Sequence, residues 1–174
     1  HLRQLGIENH CVFHISDEPG EGQLDSYLKA KQTVSRALSG CTMIDALSHY
    51  AFYESGAVEH PVCATNHIEP FLEHKVPNLW AYYCCSQYNE VSNRFLSMPS
   101  ARNRIIGVQL FWHNIAGFLH WGFNFYNNQY SQSPVNPYLC TDGEYFVPSG
   151  DAFSVYPAPD RTAWETIHMV VFTH

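Results

Sequence analysis

Asp17 and Glu18 are adjacent carboxylates just past the close of an apolar run, residues 11–15, and Pro19 behind them ends regular structure. Protonating a leaving-group oxygen requires a carboxylic acid that stays neutral near pH 7, a form that burial among apolar residues favours. We therefore expect this pair to be buried at a strand end. Neighbouring residues of an extended chain point opposite ways, so the two do not form the facing carboxylates, about 5 Å apart, of an ordinary retaining glycosidase. Substrate-assisted hydrolysis removes that difficulty. The 2-acetamido oxygen of the sugar attacks the anomeric carbon, one carboxylate orients that group, and the adjacent acid protonates the leaving oxygen. Asp-Glu-Pro also suits a carboxylate pair that caps the next element.

Polar and aromatic residues recur at the ends of other short apolar runs. Asp45, Ser48 and His49 attend the run 41–46, Asn66 and His67 follow 61–64, and Tyr82 and Tyr83 lie in the later half of 79–85. Asn93 and Arg94 fall on the loop after that run, and His120, Trp121, Asn124 and Tyr126 lie in or beyond 117–125. In α/β folds the C-terminal strand edge holds the ligand. Trp121 and Tyr126 offer flat faces to a sugar ring, or else pack a core. Tyr82, His120 and Asn124 can hydrogen-bond hydroxyls or an acetamido carbonyl. Arg94 either binds substrate oxygens or braces a carboxylate. Asp45, His49 and His67 are expected to line the cleft behind them. Trp80, inside a run, reads as core, and His60, His74 and His168 receive no role.

The elements that must position these residues follow from periodicity. The five runs, 11–15, 41–46, 61–64, 79–85 and 117–125, are nearly continuous in apolar character, as in parallel strands covered on both faces. Leu24, Leu28, Ala37 and Leu38 lie near helical spacing over 24–38, with Gly40 as a stop, which makes the first unit βαβ. Residues 70–72 belong to a short helix. Residues 100–115 read as a helix with Ile105, Val108 and Trp112 on its apolar face, running directly into the fifth strand. From Ser131 onward prolines and glycines make a long loop that carries the apolar segment 152–156, and 164–172 resumes helical periodicity. No glycine-rich phosphate loop follows any strand. The alternation implies an α/β fold, either a doubly wound sheet or part of a (β/α)8 barrel, with the barrel favoured.

Composition narrows the function. The chain has 174 residues, one domain's worth, and 14% of them are charged, well below the usual ~25%. A net charge of -7 removes the electrostatic attraction that dominates nucleic-acid binding, so no nucleic-acid partner is expected. No apolar run approaches the ~20 residues of a membrane span. The six cysteines show no two-residue gap of a metal ribbon or redox motif. Cys11, Cys41, Cys63 and Cys84 sit in or at the start of expected buried strands, which favours a reducing, cytoplasmic setting. Aromatic residues make up 15% of the chain, and many lie beside polar residues, as a stacking surface would require. The chain opens at His1 without a methionine, and we expect it to be a fragment of a longer protein.

Taken together, Phe13-His14-Ile15-Ser16-Asp17-Glu18-Pro19, Ile44-Asp45-Ala46-Leu47-Ser48, Leu79-Trp80-Ala81-Tyr82-Tyr83-Cys84-Cys85, Asn93-Arg94-Phe95 and Gly117-Phe118-Leu119-His120-Trp121-Gly122-Phe123-Asn124 resemble the catalytic domain of glycoside hydrolase family 123. The resemblance spans nearly the whole chain. It implies a (β/α)8 TIM barrel, of which residues 1–174 would be a single fragment covering strands four to eight, with the first half-barrel and a preceding β-sandwich domain absent. It implies an exo-acting β-N-acetylgalactosaminidase that works without a cofactor or metal on a glycan ending in N-acetylhexosamine. Asp17 would hold the acetamido group, and Glu18 would act first as acid and then as base.

Two other readings compete. A metal-dependent hydrolase would draw on the 11 histidines and the strand-end aspartates, but neither His-x-His nor His-Glu-x-x-His occurs. A non-catalytic glycan-binding barrel would keep the aromatic cleft without working acid chemistry, and the retained Asp17-Glu18 pair speaks against it.

Overall fold

The computed structural model describes residues 1–167 and 169, and it divides into two compact units. The first comprises 1–82 and 115–118, and the second 83–114 and 119 onward. After a short helix α1 (Leu2–Leu5), β1 (Val12–Phe13) pairs in parallel with β2 (Thr42–Met43), placing Val12 beside Thr42. Helix α2 (Leu24–Ala37) makes the connection, so the predicted βαβ unit is present. Its start is organised by Gly20, whose N–H donates to Gln23 Oε1 at 2.7 Å, and it buries Tyr27 against Phe52.

The expected second strand, 41–46, is broken at Ile44 into β2 and β3 (Asp45–Leu47). The break has a local cause: the Asp45 carboxylate, rather than a backbone carbonyl, accepts the N–H groups of Ile15 and Ser16. The main sheet runs β3–β4–β5–β6 in chain order, with β4 at Pro61–Ala64, β5 at Trp80–Tyr82 and β6 at Gly117–Leu119. The β3–β4 and β4–β5 pairs are parallel, with Leu47 beside Cys63 and Cys63 beside Ala81. Short helices α3 (Ala51–Glu54) and α4 (Glu69–Glu73) make the crossovers. Leu47, Phe52, Val58, Cys63, Phe71 and Leu79 form the core of this unit. A Cβ on Gly117 would lie 2.3 Å from the indole of Trp80, so only glycine lets β6 start there. The architecture is mixed α/β with a parallel sheet.

Several expectations need correction. β1 and β2 are not covered on both faces, since Val12 and Thr42 are exposed. Of the four cysteines placed in buried strands only Cys63 is buried; Cys11, Cys41 and Cys84 lie half-buried just outside strands shorter than expected. Helix α5 (Ser100–Trp112) ends before 115, where His113 caps it and Asn114 turns left-handed at φ 52°. It buries Asn103 and Ile106, while Ile105, Val108 and Trp112, the expected inner face, are exposed. The fifth strand stops at Leu119, so His120 to Tyr126 lie beyond it.

In the second unit, residues 122–125 run antiparallel to 151–154: Ser154 N–H donates to Phe123 O at 2.8 Å and Phe125 N–H to Ala152 O at 3.1 Å. The apolar segment 152–156 thus serves as a small core, with Val147, Ala152 and Phe153 buried beneath Phe125, Tyr126 and Phe146. β7 (Val155–Pro157) then pairs antiparallel with β8 (Ala163–Glu165). Trp164 and Glu165, expected to begin a helix, are therefore in a strand. Ile167 and Met169 are helical as expected, and His168 and residues 170–172 fall outside the described residues. Among the described residues no helix is long and apolar enough to cross a membrane.

Candidate active site

Asp17 and Glu18 lie in the loop that follows β1, which ends at Phe13, and both are exposed, contrary to the expected burial at a strand end. The chain has already left the apolar layer at Ser16, so solvent reaches both carboxylates. Glu18 is nevertheless tightly placed. Its N–H donates to Ala46 O at 3.1 Å, its φ is 42°, and the buried Tyr82 hydroxyl donates to its Oε1. A left-handed glutamate costs about 1 kcal/mol or more, and persists only where its surroundings fix it. Here the β3 backbone and a β5 side chain do so.

Beneath the pair sits Asp45, 1% exposed at the start of β3. Its Oδ1 accepts Ile15 N–H at 2.9 Å and Ser16 N–H at 3.1 Å, and its Oδ2 accepts the Tyr27 hydroxyl at 2.5 Å. His14 Nδ1 lies 3.7 Å from the same carboxylate. Burial, then the bond to Asp45, holds the Tyr27 phenol above its ordinary range, so it stays a donor. Asp45 thus anchors the two residues that lead into Asp17, by a network that also ties down α2.

A second constellation is built around Arg94. Its guanidinium donates to Ser154 Oγ, to His120 Nδ1 at 2.9 Å, to Gly122 O at 2.7 Å and to Asp151 O at 3.1 Å. It is a brace, but of backbone carbonyls, a hydroxyl and an imidazole rather than of a carboxylate. Gly122 N–H also donates to His120 Nδ1 at 3.1 Å. Both groups facing Nδ1 are donors, so the imidazole proton sits on Nε2, which donates to Asp151 Oδ1 at 3.1 Å. Burial lowers the pKa of His120, partly offset by Asp151, and also lowers that of Arg94. Burial pushes the neighbouring Tyr83 phenol up to about 12 against the opposing pull of Arg94. Trp121 donates its indole N–H to Asp151 Oδ2 at 2.9 Å, and its ring rests against Phe125 and Phe146 at centroid distances of 5.2 and 5.9 Å. It remains 37% exposed.

The model of the glycoside hydrolase 123 catalytic domain matches residues 1–174. The chain belongs to glycoside hydrolase family 123. Among solved structures it is similar to a family 123 glycoside hydrolase from Clostridium perfringens, whose structure was analysed for glycolipid glycan hydrolysis. The TM-score is 0.67 at 16% identity, and the match covers 99% of this chain and 30% of that one. The chain therefore spans about a third of the length of that relative. No curated protein matches it.

For this family 123 chain, the remaining expected site residues fall into distinct places. His49 is half-buried, and its carbonyl accepts Phe52 N–H at 3.3 Å at the start of α3. His67 is exposed after β4, and its carbonyl takes the Cys63 thiol. Asn124 is exposed and bridged to Phe153 through the backbone. Tyr126 packs on Phe153, and its hydroxyl donates to Val155 O at 2.7 Å. In the first unit Tyr82 meets Glu18 and Asp45 holds the Ile15 and Ser16 amides just before Asp17, while in the second Arg94 meets His120, which stacks beside Trp121. Sequence reasoning missed Tyr27, Ser154 and, above all, Asp151. A lone acid opening the apolar stretch 152–156, just after a glycine, was the available signal for a buried carboxylate. Among the described residues no group of three His, Cys, Asp or Glu is arranged to hold a metal ion.

Proposed function

We propose that this chain is the catalytic portion of a retaining, substrate-assisted β-N-acetylhexosaminidase, with galactosamine as the preferred epimer and the parallel strands forming the later part of a (β/α)8 barrel. The observation that carries the reading is the fixing of Glu18, beside Asp17 in the loop after β1, by the Tyr82 hydroxyl and the Ala46 carbonyl in a left-handed conformation. Family membership supports a glycosidic substrate. The Clostridium relative's work on glycolipid glycans supports a glycan carried on a lipid or a similar aglycone.

In this mechanism the sugar's acetamido oxygen bonds to the anomeric carbon while the glycosidic C–O bond breaks. Glu18 delivers its proton to the departing oxygen, and Asp17 accepts a hydrogen bond from the acetamido N–H, which turns the amide oxygen toward the anomeric carbon and offsets the charge growing on it. Glu18, now a carboxylate, then takes a proton from the water that opens the oxazoline, and configuration is retained by two inversions. Tyr82 keeps the Glu18 carboxyl in place during both steps. Within the second unit, taken by itself, the part-exposed Trp121 ring offers a flat face of the kind a sugar's C–H groups stack on.

The experiment compares wild type, Glu18→Gln and Asp17→Asn on aryl N-acetyl-β-galactosaminides and glucosaminides with good and poor leaving groups. Glu18→Gln is expected to lose roughly 10²–10⁴-fold on poor leaving groups and far less on activated ones. Asp17→Asn is expected to slow both, and a thiazoline to inhibit wild type. Equal rates for wild type and Glu18→Gln on the unactivated glycoside would end the proposal.

A further inference from the structure

Asp151 is 0% exposed, yet the ring it holds, Trp121, is more than a third exposed. A core does not need a buried carboxylate to hold an exposed indole, whereas a ligand platform gains from a ring whose angle is fixed before the ligand arrives. We propose that Asp151 is a positioning residue that sets the orientation of Trp121, and that a carboxylate is required there because both side chains it holds can only donate.

The requirement follows from donor and acceptor identity. Indole nitrogen has a proton and no lone pair to offer. His120 Nε2 is equally committed, because Nδ1 faces the Arg94 guanidinium and the Gly122 amide, which leaves no room for the other tautomer. Asp151 Oδ2 and Oδ1 must therefore both accept. An asparagine of the same shape fails in either flip. Its NH2 meets the indole N–H or the imidazole N–H, and neither partner can reverse. The backbone reinforces the arrangement: Arg94 ties Asp151 O to Gly122 O, and a Cβ on Gly122 would lie 2.7 Å from the carbonyls of Asp151 and Ala152. The turn 120–122 thus has one seat.

This inference rests on the reading of Trp121 as a sugar-binding face, and its test keeps the two separable. Asp151→Asn, Trp121→Phe and the double variant are made in the protein. Trp121→Phe removes the indole N–H but keeps a ring, so in that background the NH2 of the introduced asparagine faces carbon and its oxygen can still serve His120. Asp151→Asn alone is expected to raise KM for an aryl N-acetyl-β-hexosaminide about tenfold, with a smaller change in kcat, the size of one misdirected hydrogen bond. The double variant should match Trp121→Phe within about twofold. Without substrate, the Trp121 indole N–H signal, assigned by its loss in Trp121→Phe, should be protected from exchange in wild type and unprotected in Asp151→Asn. Unchanged protection, or a KM penalty as large in the Trp121→Phe background as in wild type, overturns the proposal, as does a double variant that fails to fold while Trp121→Phe folds. If the protein cleaves no N-acetylhexosaminide, the functional reading fails while indole exchange still decides the role of Asp151.

Discussion

Replacing Asp45 with alanine strands three donors at once: the amides of Ile15 and Ser16 and the hydroxyl of Tyr27. Hydrogen bonds to a charged acceptor contribute about 1.5–3 kcal/mol each when a donor is left buried. The Tyr27 hydroxyl is buried and falls in that range, whereas the two amides are half-buried, share one oxygen, and can be partly rescued by water. The total is about 4 kcal/mol. Hydrogen exchange reads it locally: the Ile15 and Ser16 amides should exchange roughly 10²–10³ times faster, at tenfold per 1.4 kcal/mol. Because the same two residues lead into Asp17 and Glu18, kcat should fall about a hundredfold, the usual penalty for displacing a reacting group by about 1 Å. Asp45→Asn is the control. It keeps an acceptor toward the amides and can turn its NH2 toward the Tyr27 oxygen, so its cost should stay near about 1–2 kcal/mol with exchange little changed. If Asp45→Ala leaves both amides protected and lies within about 1 kcal/mol of wild type in urea unfolding, Asp45 does not anchor the segment, and the account of how the carboxylate pair is held is wrong.

His120 gives a pH prediction of definite sign. Its pKa is lowered in the folded protein by burial, so below its ordinary value of 6.5 the unfolded chain binds more protons than the folded one. Its stabilising contribution is complete above pH 6.5 and is lost as pH falls through the lower, folded value. Thermal melts from about pH 7.5 to 5 should show this slope in wild type and a shallower one in His120→Gln, and identical slopes would contradict it. Gly122→Ala should destabilise by about 1–3 kcal/mol or more, because its methyl would meet backbone carbonyls at 2.7 Å that cannot swing aside. Chemical denaturation measures it, and a neutral result would mean the 120–122 turn is not seated on 151–152 as described.

Much of the first unit was legible along the chain. Helix α2, strand β4 and the short helix after it follow from local periodicity and from glycine and proline, which act over a few residues, whereas the strand expected to run up to Asp17 and Glu18 stops at Phe13. The identity of Asp45 as a polar strand residue was visible too. Its partners were not, since Ile15, Ser16 and Tyr27 lie 18–30 positions away, and an aspartate that lines a cleft looks the same in sequence as one buried under a backbone.

Helix α5 shows the opposite limit. Its apolar residues repeat at helical spacing, yet Val108 and Trp112 face outward and Asn103 faces in, because which stripe is buried is decided by what packs on the helix and not by the stripe itself. The second unit belongs almost wholly to tertiary structure. Sequence order offered His120-Trp121-Gly122 and a proline-rich loop as separate features. Only folding brought Arg94, the adjacent His120 and Trp121, and Asp151 to one place, across chain separations of 26 to 57 residues. Residue types alone determined that acid chemistry and aromatic stacking were within this chain's means. Which carboxylates meet solvent, and which are spent on holding others still, was decided by burial and hydrogen-bond complementarity, and these exist only once distant segments are in contact.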